Sequence, residues 1–140
     1  MASFFLTGSG IGACQDARVA NKVLELLAAK NSPPKSGEPV RLLYIGTCTY
    51  DDPECETKQT ERLVERGCEL TALRVTHNET TPPINVIENL INNAHIILIS
   101  GGNTQFAMDR WENLGGSRGG AAGPHVDHYK GRKGGIMGYF

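Results

Sequence analysis

The short polar loop Gly101-Gly102-Asn103-Thr104 has the residue types and the position that a ligand-binding or catalytic loop requires. Four aliphatic residues, Ile96–Ile99, precede it and predict a strand that is buried on both faces. The glycines allow a turn without steric cost, and Asn103 and Thr104 predict the start of a helix that runs through Trp111. Such a loop lies at the carboxyl end of a parallel strand, where open α/β sheets bind their ligands. The same residues also suit a turn that needs glycine only for its backbone shape.

Cys48 is a second candidate for chemistry, as a nucleophilic thiol. It follows the apolar run of residues 42–45, which predicts a strand, so it would lie at the same edge of the sheet. Its context, Gly46-Thr47-Cys48-Thr49-Tyr50, lacks the second glycine of a nucleophile elbow, and no histidine can be matched to it. We therefore interpret Cys48 as a buried, unreactive thiol.

Predicted strands and helices alternate along the chain, which indicates an α/β fold with a parallel sheet and helices on both faces. After the first strand, we expect a glycine-rich loop that ends where Asp16 caps a helix. We expect a polar helix that begins at about Glu56 and ends at Gly67. The predicted strands cover residues 4–7, 40–46, 70–75 and 96–99, and another amphipathic helix covers residues 84–91.

Composition limits the classes of function. The 140 residues predict one domain, residues 1–140, and the formal charge of −1 gives no basic surface for nucleic acid. The N-terminus does not resemble a signal peptide, and no apolar run approaches the length of a membrane span. The four cysteines form no CxxC pair, so no metal site is predicted. We expect a cytoplasmic protein with no cofactor, no nucleic-acid partner and no membrane partner.

A weak dinucleotide fingerprint, G-x-G-x-x-A, occurs at residues 8–13, from Gly8 to Ala13. It follows the first predicted strand, as the fingerprint requires. However, we expect the helix to begin only after Asp16, and Gly46-Thr47-Cys48 stands where the acidic residue that binds ribose would close the second strand. A nucleotide-binding module is therefore an alternative interpretation, and titration with NAD or ATP would distinguish it.

The glycine loop resembles the Gly-Gly-Asn-Thr loop of the peptidase E and cyanophycinase family of serine peptidases. Gly67-Cys68-Glu69-Leu70-Thr71-Ala72-Leu73 is similar to the entry into that family's third strand, and Asn93-Ala94-His95 before the Ile96–Ile99 strand is similar in order and spacing. The match is continuous over residues 40–114. It implies a flavodoxin-like sheet related to the class I glutamine amidotransferases, and a serine-type dipeptidase that acts on small Asp-containing peptides.

The resemblance also implies roles for the loop residues. Gly102 would offer its backbone N–H to the oxyanion of a tetrahedral intermediate, and Asn103 would orient the substrate or the loop. Asn103 can also cap the following helix, and the two roles are compatible. We interpret Thr104 as structural and Trp111 as a packing residue.

The nucleophile of the family has no counterpart in this sequence. Residues 133–140 resemble the strand that leads into the serine elbow, and the sequence stops there. Ser100 ends a buried strand, and Ser117 lies in a glycine-rich run. The family histidine follows its serine, so none of the four histidines, His77, His95, His125 and His128, is matched to it. We expect a domain that is truncated before the elbow, incomplete at its C-terminus and inactive by itself. The alternative is a non-catalytic fragment or pseudoenzyme that acts by binding or assembly.

Residues 115–140 diverge from the family. The run of residues 115–124 has no helical periodicity, and it reflects either a local frame error in the gene sequence or a true flexible loop. We expect the strand at Ile136 and Met137 to lie inside the sheet, with one side unpaired because later residues are missing. Such an exposed edge would favour self-association.

Overall fold

The computed structural model describes residues 3–7, 10–29, 34–114 and 135–139. The strands in this part of the chain are β1 (Ser3–Thr7), β2 (Val40–Ile45), β3 (Cys68–Leu73), β4 (Ile96–Ile99) and β5 (Gly135–Tyr139). The α-helices are α1 (Gly10–Gln15), α2 (Ala17–Ala28), α3 (Pro53–Val64), α4 (Ile84–Asn93) and α5 (Thr104–Glu112). Two 3₁₀ turns cover Thr47–Thr49 and Asn78–Thr80. The strands form one sheet in the order β1-β5-β4-β2-β3, and every neighbouring pair is parallel.

Helices cover both faces of this sheet, which confirms the predicted class. Alternate residues of β2 point to opposite faces, as the period of a strand requires. Leu42 and Tyr44 pack with α1, α2 and α3, whereas Leu43 and Ile45 pack with α4 and α5. Within the described residues, no helix is both long enough and apolar enough to cross a bilayer.

Side-chain caps explain where two helices begin. Asp16 accepts a hydrogen bond from the backbone N–H of Arg18 at the start of α2, as predicted. Asp52 does the same for Glu54 and Cys55 at the start of α3, with Pro53 in the first turn. A carboxylate at this position satisfies amide groups that have no partner inside the helix. The polar helix therefore begins at Pro53, which is earlier than the start near Glu56 that the sequence predicted.

Two expectations from the sequence were wrong. The segment before Asp16 is not wholly a loop, because Gly10–Gln15 forms α1 and buries Cys14 against α2 and α3. The strand at Ile136 does lie inside the sheet, but neither side of it is unpaired. β5 pairs with β1 on one side, where Ile136 faces Phe4, and with β4 on the other, where it faces Ile97. The side of β5 that we expected to be unpaired is therefore covered by β1.

Arg41 and His95 join β2 and β4 at the amino-terminal edge of the sheet. The backbone N–H of Arg41 donates to His95 Nδ1 at 3.0 Å, and the backbone N–H of His95 donates to the Arg41 carbonyl at 2.9 Å. The Arg41 guanidinium lies 3.0 Å from His95 Nε2. Burial lowers the pKa of His95, and the Arg41 charge lowers it further, whereas Glu38 opposes the shift. The neutral imidazole is therefore the form that the fold stabilises.

The free energy of unfolding should decrease as the pH falls from 7 to 5. The folded-state pKa of His95 lies below the unfolded value of about 6.5, so its contribution is complete above that value and is lost as the pH falls through the folded pKa. Denaturant unfolding at several pH values would measure this. His95→Gln should remove that part of the pH dependence, and His77→Gln, at an exposed histidine, should retain it. Equal pH profiles for wild type and His95→Gln would contradict the assignment.

Tyr44 is a large side chain that is 1% exposed, with a hydroxyl that lies in the core. Burial raises the pKa of Tyr44 to about 12. The hydroxyls of Thr49 and Ser100 oppose this rise, but within the described residues no group has the geometry of a hydrogen bond to the Tyr44 hydroxyl. A buried donor without a partner reduces stability by roughly 1–3 kcal/mol.

We therefore expect Tyr44→Phe to increase the free energy of unfolding by about 1 kcal/mol, because it removes an unpaired polar atom and keeps the ring. Chemical denaturation followed by circular dichroism would measure the change. Thr60→Val is the matched control, because the buried Thr60 hydroxyl donates to the Glu56 carbonyl at 2.8 Å and its removal should destabilise the protein. A clear loss of stability in Tyr44→Phe would show that the phenol has a partner.

Candidate functional site

The loops after β2 and β4 form the candidate site. The strands β4 and β2 are neighbours in the sheet. β3, which follows β2 in the chain, pairs with the side of β2 that faces away from β4, and β5, which follows β4, pairs with the side of β4 that faces away from β2. The helices after the two strands also pack on opposite faces of the sheet. This divergence is a topological switch point, and open α/β sheets bind ligands beyond the carboxyl ends of the strands at such a point.

The loop after β2 has a strained backbone that several hydrogen bonds hold. Tyr50 and Asp51 are consecutive non-glycine residues with φ of 56° each, a left-handed conformation that costs about 1 kcal/mol or more per residue. The Gly46 carbonyl accepts hydrogen bonds from the backbone N–H groups of Thr49 and Asp51. Asp51 Oδ2 accepts the backbone N–H of Thr76 at 2.9 Å, and Arg74 donates to the Asp51 carbonyl at 3.0 Å. The loop is therefore fixed to the segment that follows β3.

The loop after β4 packs directly on the loop after β2. The backbone N–H of Ser100 donates to the Ile45 carbonyl at 3.0 Å, and that of Asn103 donates to the Cys48 carbonyl at 2.8 Å. Between them, Gly102 has a φ of +139°, and a Cβ atom on it would overlap the Cys48 carbonyl oxygen. Glycine is thus required at position 102 for both backbone conformation and space. Gly102 is exposed, and within the described residues its N–H makes no hydrogen bond.

Both polar atoms of the Asn103 side-chain amide form hydrogen bonds. Its Oδ1 accepts the backbone N–H of Phe106 at 3.0 Å, which makes it the N-cap of α5, as the sequence indicated. Its Nδ2 donates to the Tyr50 hydroxyl at 2.7 Å. The Tyr50 ring lies against that of Phe106, with 4.8 Å between the ring centroids. Asn103 therefore connects the start of α5 to the strained loop.

Tyr50 is a site residue that the sequence analysis missed as a candidate. Its side chain contacts Asn103 from a left-handed backbone, and no sequence pattern predicts that conformation for tyrosine. The Asp51-Asp52 pair after it does carry a signal, since Asp52 before Pro53 is typical of a helix start.

Neither candidate nucleophile in the described part of the chain is accessible. Ser100 is fully buried, and its hydroxyl lies 3.4 Å from that of Thr49. Cys48 is buried, and burial raises the pKa of its thiol, as expected for an unreactive cysteine. Ser117 lies outside the described residues. It follows the end of α5, whereas a nucleophile elbow follows a strand.

The two histidines that the structure describes, His77 and His95, lie beyond opposite ends of the strands. His95 lies at the amino-terminal edge of the sheet, and His77 is exposed before the second 3₁₀ turn, where its carbonyl accepts hydrogen bonds from Thr80 and Thr81. His125 and His128 lie outside the described residues. Trp111 packs on the core, and its Nε1–H donates to Thr47 Oγ1 at 3.1 Å, which fixes α5 to the loop after β2. The packing role that we predicted for Trp111 is confirmed.

The fingerprint at residues 8–13 has a geometry that we did not expect. Gly10 begins α1, which follows β1 more closely than we predicted, although Gly8 and Ser9 lie outside the described residues. The ribose-binding acid is still missing at the end of β2. The nearest carboxylates, Asp51 and Asp52, are engaged with Thr76 and with the start of α3. Among the described residues, no cluster of histidine, cysteine and acidic side chains could hold a metal ion.

Comparison with known proteins places the fold. No protein-family model matches the sequence, and no curated protein matches it significantly. The structure is similar to a crystal structure described as a "putative peptidase E protein" from Listeria monocytogenes EGD-e, with a TM-score of 0.63 and 16% sequence identity. The similarity covers 99% of this chain and 58% of that one, so this chain spans little more than half the length of the protein it matches. The chain has a peptidase E-like, flavodoxin-like α/β fold.

Gly102→Ala should destabilise the protein by about 3 kcal/mol, because two costs apply: the strain of the backbone conformation, and the collision of the new methyl group with the Cys48 carbonyl. Gly67→Ala is the matched control. Gly67 has a φ of +84°, but no atom lies within 4 Å of an added Cβ, so only the strain of about 1 kcal/mol applies. Thermal and denaturant unfolding of both variants would measure the difference. Equal losses would show that the loops do not pack as described.

Proposed function

We propose that the loops after β2 and β4 form the oxyanion and substrate-binding part of a serine-type dipeptidase site for small Asp-containing peptides. The observation that carries the proposal is that Gly102, an exposed residue at the switch point of a peptidase E-like sheet, has an N–H with no hydrogen-bond partner among the described residues. The neighbouring N–H of Asn103 already donates to the Cys48 carbonyl, so among these two backbone donors the Gly102 N–H is the one left for a ligand. A donor that is held in place before the reaction acts on the charge of the transition state, and its loss typically costs about 3 kcal/mol.

The start of α5 supports an anionic ligand at the same place. The N-terminus of a helix carries partial positive charge, which favours carboxylates and oxyanions. The side chain of Arg110 does not serve this purpose, because its guanidinium donates to the Val75 carbonyl and to the side chains of Asn78 and Thr81. Ligand binding at this edge would therefore rest on backbone N–H groups and neutral donors.

The same reasoning predicts binding without hydrolysis for the 140-residue chain. A serine-type mechanism needs an accessible serine hydroxyl that bonds to a histidine, and Ser100, the serine that the described residues place at this edge, is buried with its hydroxyl beside that of Thr49. The alternative function is that of a non-catalytic protein that acts by binding or assembly. Sedimentation analysis would test self-association. A nucleotide-binding module through residues 8–13 remains the other alternative, with the early start of α1 in its favour.

The purified 140-residue chain should bind Asp-Leu without cleaving it. Titration followed by NMR should shift the amide signals of Gly102, Asn103 and the first turn of α5, whereas Leu-Leu, which lacks the aspartate carboxylate, should bind much more weakly. Incubation should release no leucine, and a fluorophosphonate reagent should label no serine.

The possible outcomes separate the parts of this proposal. Absence of any Asp-Leu binding would contradict the proposed site. Hydrolysis, or stoichiometric labelling of a serine, would instead contradict the predicted inactivity; Ser117 would then be the residue to identify, because Gly115 and Gly119 flank it.

A further inference from the structure

Tyr50 combines two features that rarely occur together at a protein surface. It is a large aromatic side chain that is 54% exposed, and its backbone is held in a left-handed conformation. Strained non-glycine residues persist where the surrounding structure fixes them, and they cluster at functional sites. At Tyr50 the surrounding hydrogen bonds are those of the loop after β2, and the side chain lies beside Asn103 in the candidate site.

The direction of the hydrogen bond between Asn103 and Tyr50 follows from the helix cap. The backbone N–H of Phe106 can only donate, so the amide atom that faces it must be the oxygen, Oδ1. The other amide atom is then Nδ2, which can only donate. The Tyr50 oxygen, 2.7 Å from it, therefore accepts. The orientation of an asparagine amide is often ambiguous, but here the cap fixes it.

A phenol that accepts one hydrogen bond still has its own proton to donate. Within the part of the chain that the structure describes, the Tyr50 hydroxyl has Asn103 as its hydrogen-bond partner, and its side chain is half exposed. Because Asn103 Nδ2 cannot accept it, the phenol proton is available to solvent or to a bound ligand. The contact of the Tyr50 ring with Phe106 restricts the ring, so the hydroxyl has a defined place beside the start of α5.

We propose that Tyr50 is a ligand-binding residue of this site, and that its hydroxyl, which Asn103 holds, donates a hydrogen bond to an oxygen atom of the bound peptide. This inference rests on the proposed function for the identity of the ligand. It adds a neutral side-chain donor to the N–H of Gly102, and the acceptor is a carbonyl or carboxylate oxygen of an Asp-containing dipeptide. Asn103 then acts as a positioning residue for Tyr50, in addition to its role as the cap of α5.

Tyr50→Phe tests the hydroxyl while the ring and its contact with Phe106 are retained. The affinity of the 140-residue chain for Asp-Leu, measured by calorimetry, should fall about tenfold, which is the effect of losing one hydrogen bond to a charged or strongly polar group. The melting temperature should stay within about 2 °C of the wild type, because the hydroxyl is at the surface. Tyr44→Phe makes the same chemical change in the core and should leave the affinity for Asp-Leu unchanged.

Asn103→Asp tests the direction of the hydrogen bond. An aspartate caps a helix as well as asparagine does, so α5 should remain intact. Its second oxygen can only accept, so the Tyr50 proton would turn inward to it and be lost to the ligand. The affinity should again fall at least tenfold. In the Tyr50→Phe background the same substitution should cost much less, and the cost that remains there measures the repulsion between the new charge and the ligand.

The outcomes distinguish this inference from the proposed function. A wild-type chain that binds Asp-Leu, with both variants weakened and non-additive, supports both. Binding that Tyr50→Phe does not change overturns the role of Tyr50 and leaves the proposed site in place. Equal effects of Asn103→Asp with and without the phenol overturn it too. A wild-type chain that does not bind Asp-Leu overturns both.

Discussion

The hydrogen bond from the backbone N–H of Asn103 to the Cys48 carbonyl, at 2.8 Å, is the contact on which the rest of the candidate site depends. It brings the loop after β4 so close to the loop after β2 that only glycine fits at position 102. That close approach places the Asn103 side chain within reach of both α5 and Tyr50, beside the exposed residue Gly102. One backbone contact between two loops thus sets the positions of the donors that we assign to ligand binding.

The sequence was sufficient for the fold class because most of the elements have a local signal. The apolar run Ile96–Ile99 predicts a strand that is buried on both faces, and helices do cover both faces of it. Asp16 and Asn103 each predict a helix start, and each side chain accepts the expected backbone hydrogen bond. The sequence analysis identified Gly102 as a residue of the candidate loop, and the structure shows why a larger residue does not fit there. Its role with a ligand stays a proposal.

What the sequence could not supply depends on contacts between distant residues. α1 was missed because two of its six residues are glycines, which disfavour a helix, whereas its packing on α3 compensates for that preference. The pairing of β5 with β1 was missed because strand order is not encoded in any local pattern. Tyr50 was missed for a similar reason: its left-handed backbone is imposed by hydrogen bonds from Thr76 and Arg74 to its neighbour Asp51.

The pairing of β1 with β5 has a consequence for how the chain folds. Ser3 of β1 lies opposite Gly135 of β5, so the first strand finds its partner only about 130 residues later, and contacts of such high sequence separation slow folding. By contrast, β2, β3 and β4 pair over a much shorter span and can form first. During synthesis on the ribosome, β2, β3 and β4 can pair before β5 is made, so β1 and the side of β4 that later pairs with β5 stay without a partner until then.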